Sequence, residues 1–257
     1  MELNTPDSFC AFSTKSSSKE LLALILSLSY FHPDKNLICM VDSYTKKFIT
    51  TKYYNIELNI EWIVTLDKYT NMNRKIMEKR NLWATFQMSK AEVIKIALTK
   101  YNDTLFLDSD LFILGKINNI DKTKDLGVSP HYSGHQICKR YGYYNGGLLW
   151  CQNKNIPDKW IEYTKTSRFY DQASIEDLVK DFSYFEFNKN YNFGQWRFNQ
   201  DKKYINIQNN KIFFNNDELK IIHIHFHKYE LFKNFILSKL KQVNGQKQIY
   251  IINEILN

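Results

Sequence analysis

Glycine, proline and cysteine are all scarce in this 257-residue chain, which has 8, 4 and 4 of them. No Pro- or Gly-rich linker divides the sequence, so we predict a single domain that spans residues 1–257. The cysteines form no CxxC pair, which is typical of reduced core cysteines in a cytosolic protein and not of a disulfide framework. We therefore expect a cytoplasmic protein with free thiols at Cys10, Cys39, Cys138 and Cys151.

Long apolar runs are also lacking. The longest candidate, LLALILSLSYF at residues 21–31, is too short to span a bilayer. It follows Lys19-Glu20 and has no small-residue cleavage site, which argues against a signal peptide. We predict that it is a buried helix.

The net charge of +8 suggests acidic partners such as phosphates or an anionic membrane surface. Nucleic acid is not predicted as a partner, because the 17 tyrosines follow no RNA-binding pattern. Residues 227–243, HKYELFKNFILSKLKQV, place apolar residues near helical spacing among lysines. This pattern favours a helix packed on the domain, and the alternative is a helix in peripheral contact with a membrane.

The first half alternates short apolar runs with helical patterns, which predicts an α/β fold with a mostly parallel, Rossmann-like sheet flanked by helices. We expect Ser18 to cap the first helix. A single helix is predicted from about 72 to 100. The predicted strands are FCAFST (9–14), NLICMVDS (36–43), IEWIVTL (60–66) and TLFL (104–107), the last of which would place Asp108 near its end and Asp110 just beyond.

The second half is less regular. YNGGLLWCQ (144–152) predicts a strand and DQASIEDLVKDF (171–182) a helix. FEFNKNYNFGQW (185–196) predicts a polar-aromatic loop, and KIIHIHFHK (220–228) predicts a strand. His131 and His135 are expected in a loop, because Pro130 and Gly134 oppose an HxxxH metal helix.

Two carboxylates stand where a buried strand should be apolar. Asp108 and Asp110 interrupt LFLDSDLFIL, and ionised carboxylates there are costly unless they are paired or bind a metal. Ligands gather at the carboxyl ends of strands in open α/β sheets, and oxygen ligands suit Mg²⁺ or Mn²⁺. Because the sequence has neither GxGxxG after a strand nor GxxxxGK, phosphates would need such a metal or basic side chains. The alternative is that the two acids cap the following turn.

Three histidines alternate along one predicted strand, so their side chains share one face. His223, His225 and His227 either complete the aspartate site or form a zinc site of their own, as in a zinc-dependent hydrolase. The remaining candidates also have structural alternatives. Asn145 with its two glycines fits a tight turn, Asp171 a helix N-cap and Lys90 a solvent-facing helix residue.

The order of these motifs resembles the glycosyltransferase-A fold, and within it glycosyltransferase family 8, that of glycogenin and the lipopolysaccharide galactosyltransferases. The resemblance covers about residues 9–230. It lies in TLFLDSDLFIL, the lysine-bearing MSKAEVIKIAL (88–98) before it, Asn145-Gly146-Gly147, Asp171-Gln172, Tyr191-Asn192, and His223 ahead of Lys228.

The resemblance implies a transferase that moves a sugar from a nucleotide-diphosphate donor, with UDP favoured, to a hydroxyl of a glycan or glycolipid. It implies a nucleotide-binding half at 9–115, a sugar and acceptor half at 116–230, and a C-terminal amphipathic segment at 231–257. Its cofactor would be Mn²⁺ or Mg²⁺. The metal would be held by Asp108, Asp110 and His223, with His225 as the alternative to His223.

The remaining roles also follow from the resemblance. The donor nucleotide would contact Thr14, Lys15, Asp42, Asp108 and Lys228, and the donor sugar would contact Lys90, Asn145, Gly146, Asp171 and Gln172. Asp171 and Gln172 would act at the reacting centre, with retention of configuration. An inverting enzyme would instead need Glu176 or Asp177 as a general base.

Overall fold

The computed structural model describes residues 4–53, 56–225 and 229–256. Lys228 and His227 lie outside these ranges, so their predicted roles stay predictions. The strands in chain order are β1 (Ser8–Ser13), β2 (Asn36–Val41), β3 (Asn59–Val64), β4 (Thr104–Leu107), β5 (Leu111–Ile113), β6 (Leu126–Pro130), β7 (Tyr144–Cys151), β8 (Tyr184–Glu186), β9 (Phe193–Gly194), β10 (Ile205–Gln208), β11 (Lys211–Phe214), β12 (Asp217–Glu218) and β13 (Ile221–His223).

The main sheet has seven strands in the order β3-β2-β1-β4-β7-β6-β8. Strands β1 to β4 pair in parallel, as do β6 and β8, and β7 runs antiparallel to both of its neighbours. The predicted α/β fold with a mostly parallel sheet is confirmed.

The helices cover both faces of this sheet. Leu105 and Leu107 of β4 belong to a core shared with the first helix, and Phe106 belongs to the opposite core. The helices are α1 (Ser18–Phe31), α2 (Ser43–Lys52), α3 (Arg74–Lys79), α4 (Trp83–Gln87), α5 (Ser89–Lys100), α6 (His135–Tyr141), α7 (Ile156–Thr164), α8 (Tyr170–Ala173), α9 (Ile175–Asp181), α10 (Gln195–Asp201), α11 (Glu230–Gln242) and α12 (Gln246–Ile255).

The strand predicted over TLFL, with Asp108 near its end and Asp110 just beyond, is confirmed as β4, and the chain changes sheet at the two aspartates. Strand β4 lies in the main sheet, whereas β5 belongs to a second sheet of order β5-β13-β9. The N–H of Asp108 donates to the Gly147 carbonyl at 2.8 Å, and the carbonyl of Asp110 accepts from the Ile224 N–H at 2.8 Å. Each aspartate is thus fixed by a different sheet.

Several helix boundaries differ from the predictions. The single helix expected at about 72–100 is three helices, α3 to α5, and Asn81 between the first two has a φ of 56°. Ser18 is the first residue of α1 and its hydroxyl donates to the Lys15 carbonyl at 3.1 Å, so it does not cap the helix. The helix expected at 171–182 is α8 followed by α9, and the loop expected at 185–196 contains β9.

The apolar segment at 21–31 is buried in α1, as predicted, with Leu21, Leu24 and Leu28 fully enclosed. Among the described residues no helix is long and apolar enough to cross a membrane. Helix α11 buries Phe232 and Ile236 in the core. This geometry fits the packed-helix interpretation of the C-terminal segment, and contact with a membrane has no structural support.

Candidate active site

The two aspartates meet the histidine strand at the end of β4. Strand β13 runs antiparallel to β5, with His223 opposite Leu111. This register places Asp110, one residue before β5, beside the residues at the end of β13. Sequence spacing alone could not show it, because the two strands are more than a hundred residues apart.

Asp110, His223 and His225 form a cluster that can hold a metal ion. Nε2 of His223 lies 2.9 Å from Oδ1 of Asp110, and Nδ1 of His225 lies 2.9 Å from Oδ2. One potential ligand atom from each residue lies within 4.8 Å of the others. Burial alone would raise the pKa of the Asp110 carboxyl, but the two imidazoles hold it well below its usual range. The geometry therefore does not make His223 and His225 alternatives, because both face the same carboxylate.

The donor set of this cluster fits a divalent cation. Nδ1 of His223 lies 2.9 Å from the Asn192 carbonyl oxygen Oδ1, so Nδ1–H donates to it. The other ring nitrogen, Nε2, faces the Asp110 carboxylate at 2.9 Å, an arrangement in which the two groups can share a divalent cation. Carboxylate oxygen and imidazole nitrogen are ligands that Mn²⁺ and Zn²⁺ accept.

Lys90 organises the neighbouring carboxylates. Its Nζ lies 2.8 Å from Oδ2 of Asp171 and 3.1 Å from Oδ1 of Asp108, and it donates to the Gly146 carbonyl at 3.0 Å. Burial alone would lower the pKa of Lys90, but the two carboxylates raise it, so the side chain stays charged. With its side chain only 5% exposed, Lys90 is not a solvent-facing helix residue.

Gly146 and Gly147 permit this close packing and do not form a tight turn, because both lie within β7. A Cβ on Gly146 would lie 2.5 Å from Oδ2 of Asp171, and one on Gly147 would lie 2.8 Å from Oδ2 of Asp108. Asp171 is inside α8 and makes no capping bond. Gln172 beside it donates from Nε2 to the Tyr141 carbonyl at 2.8 Å.

Two of the three residues predicted to hold the nucleoside, Thr14 and Asp42, are buried. Asp42 caps α2, its Oδ1 accepting from the Thr45 N–H at 2.8 Å and its Oδ2 from the Lys15 N–H at 3.0 Å. Thr14 and Asp42 are 0% exposed. In this structure they fix the loop after β1, and direct contact of these two side chains with a nucleoside is not available.

Two adjoining clefts open at the aspartates, with volumes of about 240 Å³ and 380 Å³. The smaller has aromatic and thioether walls that include Phe12, Met77 and Phe86. The larger is lined by the metal-binding cluster and by polar residues that include Asn145, Asp171 and Gln172. Both are lined by Arg74, Trp83, Gln87, Asp108 and Asp110.

Sequence reasoning missed Arg74, Trp83 and Gln87. Arg74-Lys75 was visible only as one of several basic pairs, and Trp83 as one aromatic residue in a helical pattern. No local sequence pattern marks these three residues, because their position at the clefts depends on how α3 and α4 are joined.

No protein-family model and no curated protein matches the sequence. Solved structures do match. One is a variant of the galactosyltransferase LgtC, with 14% identity and a TM-score of 0.57 over 90% of this chain and 95% of that one. Mouse xyloside xylosyltransferase 1 matches at 11% identity and a TM-score of 0.53, over 84% of this chain and 96% of that one. The glycosyltransferase GlyE of Streptococcus pneumoniae TIGR4 matches at 14% identity and 0.59, over 98% and 64%.

The chain has the glycosyltransferase-A fold. All three of these structures are glycosyltransferases, and their agreement over most of this chain confirms the fold that the order of motifs resembles. At identities of 11–14% the likeness carries the fold and nothing about donor, acceptor or metal.

Proposed function

We propose that the protein is a metal-dependent glycosyltransferase that moves a sugar from a nucleotide-diphosphate donor, UDP-linked in the favoured case, to a hydroxyl of a glycan or glycolipid. One observation carries the proposal. The metal-binding cluster of Asp110, His223 and His225 adjoins the Lys90–Asp108–Asp171 network where two clefts meet. One cleft is suited to a flat nucleoside and the other to a polyhydroxyl sugar, which leaves the diphosphate between them.

Arg74 is the cation best suited to the diphosphate. Lys90 and Arg74 are the lysine and arginine residues among the described residues that line the clefts. Lys90 already uses its three N–H groups on Asp108, Asp171 and Gly146. Arg74 binds Glu78 only through Nε, at 2.8 Å, and stacks over Trp83 at 5.1 Å. Its Nη groups, which have no hydrogen-bond partner in the described part of the chain, match the geometry of a phosphate.

In this mechanism the acceptor oxygen bonds to the anomeric carbon, the bond from that carbon to the diphosphate oxygen breaks, and the acceptor proton leaves with the diphosphate. A bound Mn²⁺ or Mg²⁺ would supply charge neutralisation for the leaving group. Asp110, His223 and His225 would hold it. Asp171, which Lys90 holds at 2.8 Å, would stabilise positive charge at the anomeric carbon, and Gln172 would orient the sugar.

The carboxylates available to an inverting mechanism support retention instead. Glu176 accepts from Arg168 at 2.6 Å and from the Tyr143 N–H at 2.7 Å, which leaves it committed to structure. Asp177 pairs with Lys180 at 2.6 Å on the surface. Neither residue lines the two clefts.

The zinc-dependent hydrolase remains a second candidate, because two imidazoles and one carboxylate are a common zinc ligand set. It gives no role to the buried Lys90–Asp171 pair or to the aromatic cleft, and for that reason the transferase is favoured.

Calorimetry separates the two candidates. We expect UDP to bind in the presence of Mn²⁺ and to bind much more weakly without it, and we expect GDP to bind less well. Tight Zn²⁺ binding with no metal-dependent nucleotide binding would favour the hydrolase. A subsequent screen of UDP-sugars, with NMR of the product anomer, tests retention, and an inverted product would rule out the assignment of Asp171 and Gln172.

A further inference from the structure

We propose that Asn192 is a positioning residue that holds the ring of His223 with Nε2 directed at the metal, and that Asn145 and His131 hold Asn192. The proposal rests on the metal site proposed above. It gives a function to a row of buried, hydrogen-bonded polar side chains that begins at His223 and leads away from the proposed metal.

The row is a continuous chain of hydrogen bonds. His223 Nδ1 donates to Oδ1 of Asn192 at 2.9 Å, and Nδ2 of Asn192 donates to Oδ1 of Asn145 at 3.0 Å. Nδ2 of Asn145 then donates to Nε2 of His131 at 3.2 Å, and Nδ1 of His131 donates to the Gly142 carbonyl at 3.2 Å. Each side chain is at most 7% exposed.

The donor and acceptor roles along this row of hydrogen bonds are fixed by His131. A backbone carbonyl can only accept, so Nδ1 of His131 must carry the proton and Nε2 of the neutral ring must accept. Burial lowers the pKa of His131 to about 4, which keeps the ring neutral near pH 7. Asn145 must then present its nitrogen to His131 and its oxygen to Asn192. That orientation turns the Asn192 oxygen toward His223, so the imidazole has one way to bind.

The backbone around Asn192 favours its contact with His223. Its φ of 53° lies in the left-handed region, which asparagine tolerates better than most residues. The next two residues, Phe193 and Gly194, pair with Ile222 and His223 in the β9–β13 ladder, which fixes the separation of the two side chains. The Trp196 ring packs edge-on against His223 at 5.2 Å and against His131 at 5.7 Å.

The arrangement changes the expected role of Asn145. Its Oδ1 accepts both from Asn192 and from the Gly147 N–H, at 3.0 Å and 2.8 Å. One N–H of its amide is used on His131, so at most one remains for a donor sugar. Asn145 therefore acts chiefly through His223.

Mn²⁺ calorimetry on the full chain without nucleotide tests the inference. Outer-shell partners of metal-binding histidines are typically worth about 10–100-fold in affinity. We expect Asn192→Ala to weaken Mn²⁺ binding within that range. Asn190→Ala is the matched control, since Asn190 is another buried asparagine whose Nδ2 donates to the Glu218 carbonyl at 2.8 Å, away from the histidines.

A second readout addresses the ring directly. In Zn²⁺-loaded protein with ¹⁵N-labelled histidine, the Nδ1–H resonance of His223 should be protected from exchange in the native chain and in Asn190→Ala, and lost in Asn192→Ala. His131→Phe keeps a buried ring but removes the acceptor for Asn145, and it should weaken Mn²⁺ binding less than Asn192→Ala does. This variant serves if Asn192→Ala does not fold.

The outcomes are distinct. Native protein that binds Mn²⁺, with Asn192→Ala equal to Asn190→Ala and the His223 proton still protected, would overturn the positioning role and leave the proposed function standing. If Asn192→Ala is unfolded, Mn²⁺ affinity of His131→Phe equal to the native value would overturn it. Native protein that binds no divalent cation would overturn the metal site and the positioning role together.

Discussion

Asp108 and Asp110 are separated by one serine, yet their carboxylates pair with different kinds of basic side chain. Asp108 ends the main sheet and lies 3.1 Å from the buried ammonium of Lys90, which also holds Asp171. Asp110 directly precedes β5 of the second sheet and faces two imidazoles at 2.9 Å. We call these the lysine region and the histidine region.

The difference lies in where the neutralising charge comes from. In the lysine region the cation belongs to the chain, so Asp108 and Asp171 share one permanent positive charge. In the histidine region Asp110 faces two imidazoles, which carry no permanent charge and can bind a cation that comes from solution. The lysine region should therefore contribute to folding, and the histidine region should contribute to metal affinity.

The largest expected effect is on the lysine region. Lys90→Met leaves the carboxylates of Asp108 and Asp171 buried without their cation, and removal of one partner of a buried pair costs about 3–5 kcal/mol. Urea unfolding should show this loss with or without Mn²⁺. Lys95→Met on the same helix is the control, because the Lys95–Asp158 pair is more than half exposed and should cost less than about 1 kcal/mol. Equal losses in the two variants would contradict the proposed division.

The histidine region should behave in the opposite way. Asp110→Asn removes the anionic ligand, so we expect Mn²⁺ affinity to fall by more than about 100-fold, beyond the usual outer-shell range, while urea stability changes little. Asp108→Asn should lose more stability and less metal affinity. Calorimetry and urea unfolding of the two variants measure both quantities, and the reverse order would show that Asp108 is the principal ligand.

Much of the fold was predictable because β1, β2 and the segment at 21–31 carry strong apolar patterns. The chemistry at Asp108 and Asp110 was also visible, because charge inside an apolar run is conspicuous. What the sequence could not show was the change of sheet between them. LFLDSDLFIL is apolar on both sides of the acids, and only long-range hydrogen bonds to Gly147 and Ile224 assign the two sides to different sheets.

The same limit applies to the site residues. Lys90 and Asn145 were expected through resemblance to face the donor sugar, yet their bonds to other side chains are set by burial. Arg74 and Trp83 gave no local signal, because their position depends on how α3 and α4 are joined. Local patterns predict elements well and predict poorly which side chains from distant elements meet.

At acidic pH the free energy of unfolding should fall because of two buried histidines. Burial lowers the pKa of His131 and of His32 from 6.5 to about 4. In the unfolded chain each histidine binds a proton as the pH falls through 6.5, whereas in the folded protein each stays neutral until about pH 4. The stability from each histidine is therefore complete above pH 6.5 and is lost toward pH 4. Between pH 7 and 5 the loss is on the order of 2 kcal/mol for each.

His131→Phe sharpens this result. Lys90 stays charged throughout that range, because the carboxylates of Asp108 and Asp171 raise its pKa. Urea unfolding at pH 7 and pH 5 should show a pH dependence in His131→Phe that is smaller than that of the native chain by on the order of 2 kcal/mol, while the contribution of His32 is unchanged. An unaltered pH dependence would place the acid sensitivity elsewhere.

The smallest expected effect concerns the cation that is exposed at the junction of the two regions. Arg74 is 54% exposed and partly bound to Glu78, so its gain on binding a diphosphate is that of one charge-assisted contact, about 1.5–3 kcal/mol. Arg74→Ala should weaken UDP binding by roughly tenfold or more in the presence of Mn²⁺ and should leave uridine binding unchanged. Lys75→Ala removes the same charge from the neighbouring residue, which lines neither cleft, and corrects for long-range attraction.

If both variants lose UDP affinity equally, the effect is general electrostatics and Arg74 has no specific phosphate contact. If Arg74→Ala alone is impaired, the exchangeable metal and this arginine together supply the positive charge that the histidine region lacks.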